Sequence, residues 1–542
     1  MSQNRRYIYY PIIISIVLSL GIYLGYRLSY FKAINNLYEG LQGKYGVGRG
    51  GETGKFNELI NYIESAYVDS VNGKDLSDEA ISILLEKLDP HSSYIPAKEL
   101  AQVNESLEGN FDGIGIEFNL LHDTIIVVSP IPGGPSETAG IRSGDRIITI
   151  NGKNYTGVKI TNEMVFKNLR GKKGTKVQVG VKRKGNSKLL SFNITRDKIP
   201  ITSVDVYYMI QPEVGYIKIS RFAATTYEEF ALALSKLKSN GMRKLLLDLR
   251  GNPGGFLDAA VKMADEILED KKLIVYTEGV NSPRRTYTAS NKGDYEDLPV
   301  VVLVDEGSAS ASEIIAGAIQ DNDRGTIVGR RTFGKGLVQE QSTFSDGSAI
   351  RLTVAKYYTP TGRCIQKPYD KLSTEEYYQE EMHRYLSGEL VNKDSVKLNK
   401  KDKFTTPKGK VVYGGGGVMP DVFVGIDTTK RSRFLNEIVY KGVLSDYCLA
   451  YVDANRNGLK MYSDVNAFDS KFEVTDTQLR ELNAMAVKEK CETKYPTNPK
   501  ELEYIKFQTK AMIARSLFKM NGYYTLVNKE DKVIKEALKQ FN

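Results

Sequence analysis

The chain has 542 residues, more than one ordinary core can hold, so three or four domains are expected. Apolar residues make up 41% and charged residues 26%, proportions that exclude wholesale disorder. The net charge of +9 is spread along the chain with no aromatic-plus-basic motif beside it, so nucleic acid is not an expected partner.

In chain order, Arg5 and Arg6 precede an uncharged run from Ile8 to Tyr26. As a helix rising roughly 1.5 Å per residue, that run spans the hydrocarbon core of a bilayer. The two arginines favour a cytoplasmic N-terminus, and Tyr7, Tyr9, Tyr23 and Tyr26 suit the two interfaces. Ser19-Leu-Gly21 is a poor cleavage site, so residues 1–30 are expected to be an uncleaved transmembrane anchor, with the rest of the chain exported.

Residues 31–104 read as a tether, Gly-rich from Gly40 to Gly54, followed by a helical segment from Phe56 to Leu100. Asp89-Pro-His-Ser-Ser-Tyr94 interrupts that segment, and His91 is read there as a turn residue bonded to its neighbours. From 105 to 197 the pattern changes to short strands and turns. Phe111-Asp-Gly-Ile-Gly-Ile-Glu-Phe118 runs into alternating apolar residues, and Ala139-Gly-Ile-Arg-Ser-Gly-Asp-Arg-Ile-Ile148 follows in the order of a PDZ domain, which this stretch closely resembles. The resemblance implies that an extended peptide adds as a strand, its terminal carboxylate held by the backbone of Gly113, Ile114, Gly115 and Ile116, with the isoleucines lining an apolar pocket.

Residues 198–429 alternate strands and helices, as in an α/β layer structure with ligands at strand ends. Lys244 to Leu249 is a buried-type strand ending in Arg250-Gly-Asn-Pro-Gly-Gly255, and Val300 to Val304 is another, running into Gly307-Ser-Ala-Ser-Ala-Ser-Glu313. Tyr369 to Val411 is charged and strand-poor, and reads as a surface insertion. Residues 430–542 have helical periodicity and form a separate C-terminal module. Cys364, Cys448 and Cys491 are far apart, with no metal spacing; neither a metal nor a cofactor is called for.

The serine segment is expected to open a helix, where one serine can cap and another can act as a nucleophile beside orphan N–H groups. None of the chain's three histidines lies nearby. Lys335, between Gly334 and Gly336, becomes the alternative base if its surroundings depress its pKa. Gly329-Arg-Arg-Thr-Phe-Gly-Lys335 also imitates a phosphate loop, but Gly336 stands where a magnesium-binding Ser or Thr is required, and the following residues read as a strand.

Together with Leu247-Asp-Leu-Arg-Gly-Asn-Pro-Gly-Gly255 and Gly417-Val-Met-Pro-Asp421, these motifs make residues 56–424 resemble the carboxyl-terminal processing, or tail-specific, proteases. The resemblance implies an α/β multi-domain protein: a crotonase/ClpP-like serine protease core with an inserted PDZ domain, an N-terminal transmembrane anchor and a helical C-terminal module. It implies Ser310 as nucleophile, Lys335 as base and Gln339 as the group orienting the lysine. The oxyanion hole would come from the N–H of Ala311 and of Gly254, though sequence does not separate Gly254 from Gly255. Arg170, in Leu169-Arg-Gly-Lys-Lys-Gly-Thr175, corresponds to an arginine coupling PDZ ligand to activity, against a plain reading as an exposed turn residue.

The implied function is a serine endopeptidase with a Ser–Lys dyad, cleaving exported proteins held by their free C-terminal tails. The rival is a catalytically silent PDZ scaffold. The anchor and the resemblance together place the enzyme on the inner membrane, with its catalytic part periplasmic or otherwise extracytoplasmic. A homo-oligomer or an adaptor is left open.

Asp453-Ala-Asn-Arg-Asn-Gly458 with Asp464 has the spacing of an EF-hand loop, but only two ligands would be charged and Met461 fills the ninth position. An Asn-Gly turn is the preferred reading.

Overall fold

The computed structural model describes residues 52–121, 123–370, 372–397, 401–428 and 432–541. The predicted anchor, Ile8 to Tyr26, lies outside these, as does most of the predicted tether, whose last residues already belong to the helix Glu52–Ala66. Among the described residues no helix is long and apolar enough to cross a membrane. The chain divides into two compact units, Met1–Leu84 and Leu85–Asn542. In the first, the helix Glu52–Ala66 is tied to Gly73 through the Glu64 carboxylate, and Leu59 and Tyr62 lie exposed.

The second unit is built on a six-stranded sheet in the order Val204–Gln211, Val214–Ile219, Lys244–Asp248, Val300–Val304, Thr326–Gly329, Val422–Phe423. The first pair is antiparallel and the rest are parallel. Strands covered on both faces read as unbroken apolar runs, which is why Leu245 to Leu247 and Val300 to Val304 are buried throughout. Their side chains alternate between two cores. Leu245, Leu247, Val300, Val302 and Val304 meet the helices Thr226–Ser239, Leu257–Asp265 and Ala311–Asp321. Leu246, Val301 and Leu303 meet Val533, Ile534 and Ala537 of the last helix, Lys532–Lys539. A second, antiparallel sheet packs beside this core. In it Ala349–Tyr358 pairs with Leu337–Thr343 on one side and with Ser93–Ile95 and Leu273–Gly279 on the other.

The PDZ-like stretch forms its own sheet, Ile116–Leu120, Ile125–Pro130, Arg146–Ile150, Lys176–Lys182 and Leu190–Thr195, with the helices Pro135–Ala139 and Asn162–Leu169. Its chain ends are joined by pairing of Asn110–Gly113 with Asp197–Pro200.

Two expectations require correction. The segment from Tyr369 to Val411 is more than a surface insertion. It carries the helix Thr374–Leu386, capped by Ser373, and that helix buries Tyr377 and Arg384. The Asn457-Gly458 turn is instead a helical turn, Arg456–Leu459. Around it, Asp453 is paired with Arg146 of the PDZ-like sheet at 2.8 Å, and Asp464 caps the helix Val465–Lys471. Helix propagation from Val443–Ala454 into the next turn overrides the local turn preference of Asn-Gly. The helical C-terminal module has its own core, including Phe434, Ile438, Phe468 and Leu482, and touches the PDZ-like sheet where Leu449 packs on Leu121 and Ile126.

Candidate active site

The strand Val300–Val304 delivers the serine segment to the end of the sheet, against the loop that follows Lys244–Asp248. Two of the three serines staple these loops together. Ser308 Oγ donates to Leu249 O and Ser312 Oγ to Asn252 O, both at 2.9 Å, and both residues are fully buried. Ser310 is left at the cleft, immediately before the helix Ala311–Asp321. Its φ of +54° and ψ of −113° are rarely adopted by a residue with a Cβ, a strain of about 1–3 kcal/mol that the surroundings must hold.

Those surroundings are specific. Ser310 N–H donates to Glu313 Oε2 at 2.9 Å, and Ser310 O accepts from Glu313 N, Ile314 N and the Tyr357 hydroxyl. Lys335 is held by the same two side chains. Its N–H donates to Glu313 Oε2 at 2.8 Å, and its carbonyl accepts from Tyr357 OH at 2.6 Å. Glu313 also accepts from Gly334 N at 2.8 Å and from the Thr332 hydroxyl. Burial pushes the Glu313 carboxyl up to about 7 against the pull of these donors. Burial also raises the Tyr357 phenol well above its ordinary value, so it keeps its proton, within reach of both carbonyls.

The Lys335 ammonium donates to Gln339 Oε1 at 3.0 Å, and Gln339 Nε2 donates to His91 O. Burial holds the lysine below its ordinary range, with Asp89 and Glu313 opposing. Gly336 allows the close approach this needs, because a Cβ there would stand 2.9 Å from Gln366 N. Among the described residues no hydrogen bond joins the Ser310 hydroxyl to the Lys335 amine. Both residues, with Gln339, line one cleft of about 990 Å³, walled by Phe256, Ile314 and Leu337.

The turn Asn252-Pro253-Gly254-Gly255 lies against Ser310, and Pro253, Gly254 and Gly255 line the same cleft. Asn252 is fully buried; its Nδ2 donates to Ile219 O at 3.0 Å and its Oδ1 accepts from Gly254 N at 2.9 Å. The N–H of Gly254, favoured from the sequence as an oxyanion donor, is therefore engaged. Gly254 O accepts from Phe222 N at 2.9 Å, so across this trans peptide the N–H of Gly255 points away from Phe222. Gly254 itself is needed for proximity: a Cβ there would stand 2.7 Å from both Ala309 O and Ser310 Cβ. Ala311 supplies the first, intrahelically unpaired N–H of its helix.

In the PDZ-like sheet, Gly115 has φ +71°, Ile114 is buried in the core and Ile116 is partly buried against it. Ile114 O and Gly115 O accept from Ser136 N and Ile131 N, which fixes the loop's shape. Phe118 of the neighbouring strand meets Phe166 of the helix Asn162–Leu169 edge-on at 5.8 Å. Arg170 follows that helix and is no exposed turn residue. Its guanidinium lies between the rings of Phe111 and Phe166, at 4.5 and 4.6 Å, and pairs with Glu105 of the helix Ala97–Glu108. The same helix reaches the cleft lined by Ser310 and Lys335 through Asn104 and Leu107.

Sequence reasoning assigned no role to Glu313, Tyr357 or Asn252. The Ser-x-x-Glu spacing from Ser310 to Glu313, a capping-box signature, was available for the first. Nothing local marks the other two.

Residues 213–370 match peptidase family S41, residues 113–194 match a PDZ domain, and residues 434–519 match a family of unknown function. The carboxy-terminal-processing protease of Bartonella bacilliformis is 38% identical over 317 residues, 58% of this chain and 72% of that protein. The carboxy-terminal processing protease CtpA of Bacillus subtilis is 36% identical over 314 residues, 58% of this chain and 66% of that protein. Among solved structures, the photosystem II D1 C-terminal processing protease is 28% identical with a TM-score of 0.35, covering 68% of this chain and 92% of that one.

Proposed function

Because the chain belongs to the carboxy-terminal-processing proteases of peptidase family S41, and is a serine peptidase with a PDZ domain, we propose that Ser310 attacks the scissile carbonyl with Lys335 as its general base. The observation that carries this reading is the shared fixation of the two residues, by Glu313 and Tyr357, on the wall of one cleft. Depressed by burial, Lys335 has a neutral fraction able to take the Ser310 proton, and Gln339 orients its amine. Catalytic hydrogen bonds are often absent before substrate enters, and the amine must close on the hydroxyl when the cleft is filled.

The developing oxyanion would be met by the N–H of Ala311, at the positive end of its helix, and by that of Gly255, with Asn252 and Gly254 setting the turn. Lys335 would return its proton to the leaving amine, then deprotonate the water that hydrolyses the acyl-enzyme.

The PDZ domain supports substrates presented by a free C-terminus, its carboxylate on the loop Gly113 to Ile116. Arg170, bridging the peptide-binding helix to the Glu105 helix, would report occupancy to the cleft. The uncharged run after Arg5 and Arg6 supports a membrane tether and exported substrates.

Mass spectrometry of the enzyme quenched during turnover of an activated peptide ester tests the nucleophile. An acyl adduct is expected on Ser310 and absent from Ser310→Ala; an adduct mapped to another residue would overturn the assignment.

A further inference from the structure

The groups that support Lys335 lead to a side chain in the segment that reads from sequence as a surface insertion. We propose that the Tyr377 hydroxyl positions Lys335 through His91 and Gln366, which makes the inserted helix Thr374–Leu386 part of the framework of the catalytic base. The inference rests on reading Lys335 as that base.

Two supports flank the lysine. The first is Gln339, which must face the amine with Oε1. A carbonyl can only accept, so the bond from Gln339 Nε2 to His91 O fixes which end of the amide faces Lys335. That carbonyl is held by a turn in which Asp89 Oδ1 accepts from His91 N and Ser92 N, both at 2.8 Å. The second support is Gln366, whose Oε1 accepts from Gly336 N at 2.8 Å.

Both supports return to one oxygen. Gln366 Nε2 donates to Tyr377 OH at 3.2 Å, which leaves the phenol proton for His91 Nε2 at 3.0 Å. His91 must then carry its own proton on Nδ1, which lies 3.4 Å from Tyr378 OH. Its ring meets Tyr377 edge-on at 5.1 Å and Tyr378 at 6.2 Å, so it cannot turn without breaking both contacts. Burial, with the charges of Lys335 and Lys367 outweighing Asp89, takes the imidazole down to about 3, and it stays a neutral acceptor across the working range.

The helix is gripped as firmly as the site it supports. Tyr377 is fully buried, and its carbonyl accepts from Lys367 Nζ at 3.1 Å. At the other end of the helix, Arg384 donates to Arg331 O and Thr332 O, at 2.6 and 3.1 Å, on the segment leading to Gly334 and Lys335.

The test is Tyr377→Phe in the full chain, which removes one oxygen and keeps the ring. With a tail-bearing peptide substrate, kcat is expected to fall about tenfold or more as the amine loses its fixed position. KM and tail affinity should stay unchanged. Water reaching the loosened amine favours the charged lysine, so the acid limb of the kcat–pH profile is expected to move to higher pH. Wild-type kcat and profile in Tyr377→Phe, with Lys335→Ala inactive, would overturn the positioning role and leave the dyad standing. An active Lys335→Ala would overturn the dyad and this inference with it. A lower kcat with an unmoved acid limb would mean a merely structural tyrosine and would also overturn it. Should Tyr377→Phe not fold, Gln366→Met, which removes the Gly336 tether together with the bonds to Tyr377 OH and Lys367 O, is read against the same outcomes.

Discussion

Ser310 and Lys335 donate their backbone N–H groups to the same oxygen, Glu313 Oε2, at 2.9 and 2.8 Å. Two residues 25 apart in the chain are thereby fixed by one buried carboxylate, and the Tyr357 hydroxyl joins their carbonyls from the other side. The pair is positioned through its backbone, which leaves both side chains available to the cleft.

Glu313→Gln is therefore expected to cost far more than a change of similar size on the surface. An amide offers one acceptor oxygen and turns its NH₂ toward N–H donors, each left unsatisfied at about 1–3 kcal/mol. Activity should fall at least about a hundredfold, with a clear drop in Tm, measured by peptide turnover and thermal unfolding.

The same carboxylate gives a pH signature. Its pKa in the folded protein is raised from 4.5 to about 7, so between those values the folded state holds a proton that the unfolded chain has released. The stabilisation is full below about pH 4.5 and is lost as pH rises through about 7, amounting to about 3 kcal/mol if the whole shift is expressed. Urea unfolding at pH 5 and pH 7.5 should show wild type losing more stability over this interval than Glu313→Gln, which cannot titrate there.

Tyr357→Phe retains the buried ring and deletes the proton shared between Ser310 O and Lys335 O. The expected loss is about 1 kcal/mol of stability and about tenfold in kcat, with KM little changed. Steady-state kinetics alongside chemical denaturation separates the two effects.

How much of this was legible in the sequence depends on the range of the interaction. Ser310, Lys335 and Gln339 lie in short motifs whose order implied their roles, and Val300 to Val304 read as a buried strand because both its faces are covered. The capping-box spacing marked Glu313 locally, but nothing local says that its second oxygen reaches Lys335. Asn252 was quoted within its motif; only the fold shows its side chain engaging the Gly254 N–H. Tyr377 was missed because the charges around it suggested solvent, whereas its helix turns Tyr377 and Arg384 inward and leaves Glu375, Glu376 and Glu381 exposed.

The C-terminal helix should matter to the site although it lies across the sheet from it. Asp531, its cap, pairs with Arg250 at 2.6 Å, and Arg250 clasps the fully buried Asp248 at the root of the Asn252 turn. Asp531→Asn is expected to lower Tm and kcat together. Truncation before Lys532 would bare Leu246, Val301 and Leu303 and yield insoluble protein, as size-exclusion chromatography would show.

Asp453 has its carboxylate committed to Arg146 and Arg456. Millimolar calcium is accordingly expected to leave Tm unchanged, whereas Asp453→Asn lowers it by no more than the equivalent of about 1 kcal/mol. A calcium-dependent rise in Tm that Asp453→Asn abolishes would restore the loop as a metal site.

The most direct test of the central claim is turnover of paired peptides, one with a free apolar C-terminus and one amidated, by wild type, Ser310→Ala and Lys335→Ala. Cleavage of the free-tailed peptide by wild type alone, with both variants inactive yet still binding it, is the predicted result. Cleavage by Lys335→Ala at the wild-type rate, or equal cleavage of both peptides, would contradict it.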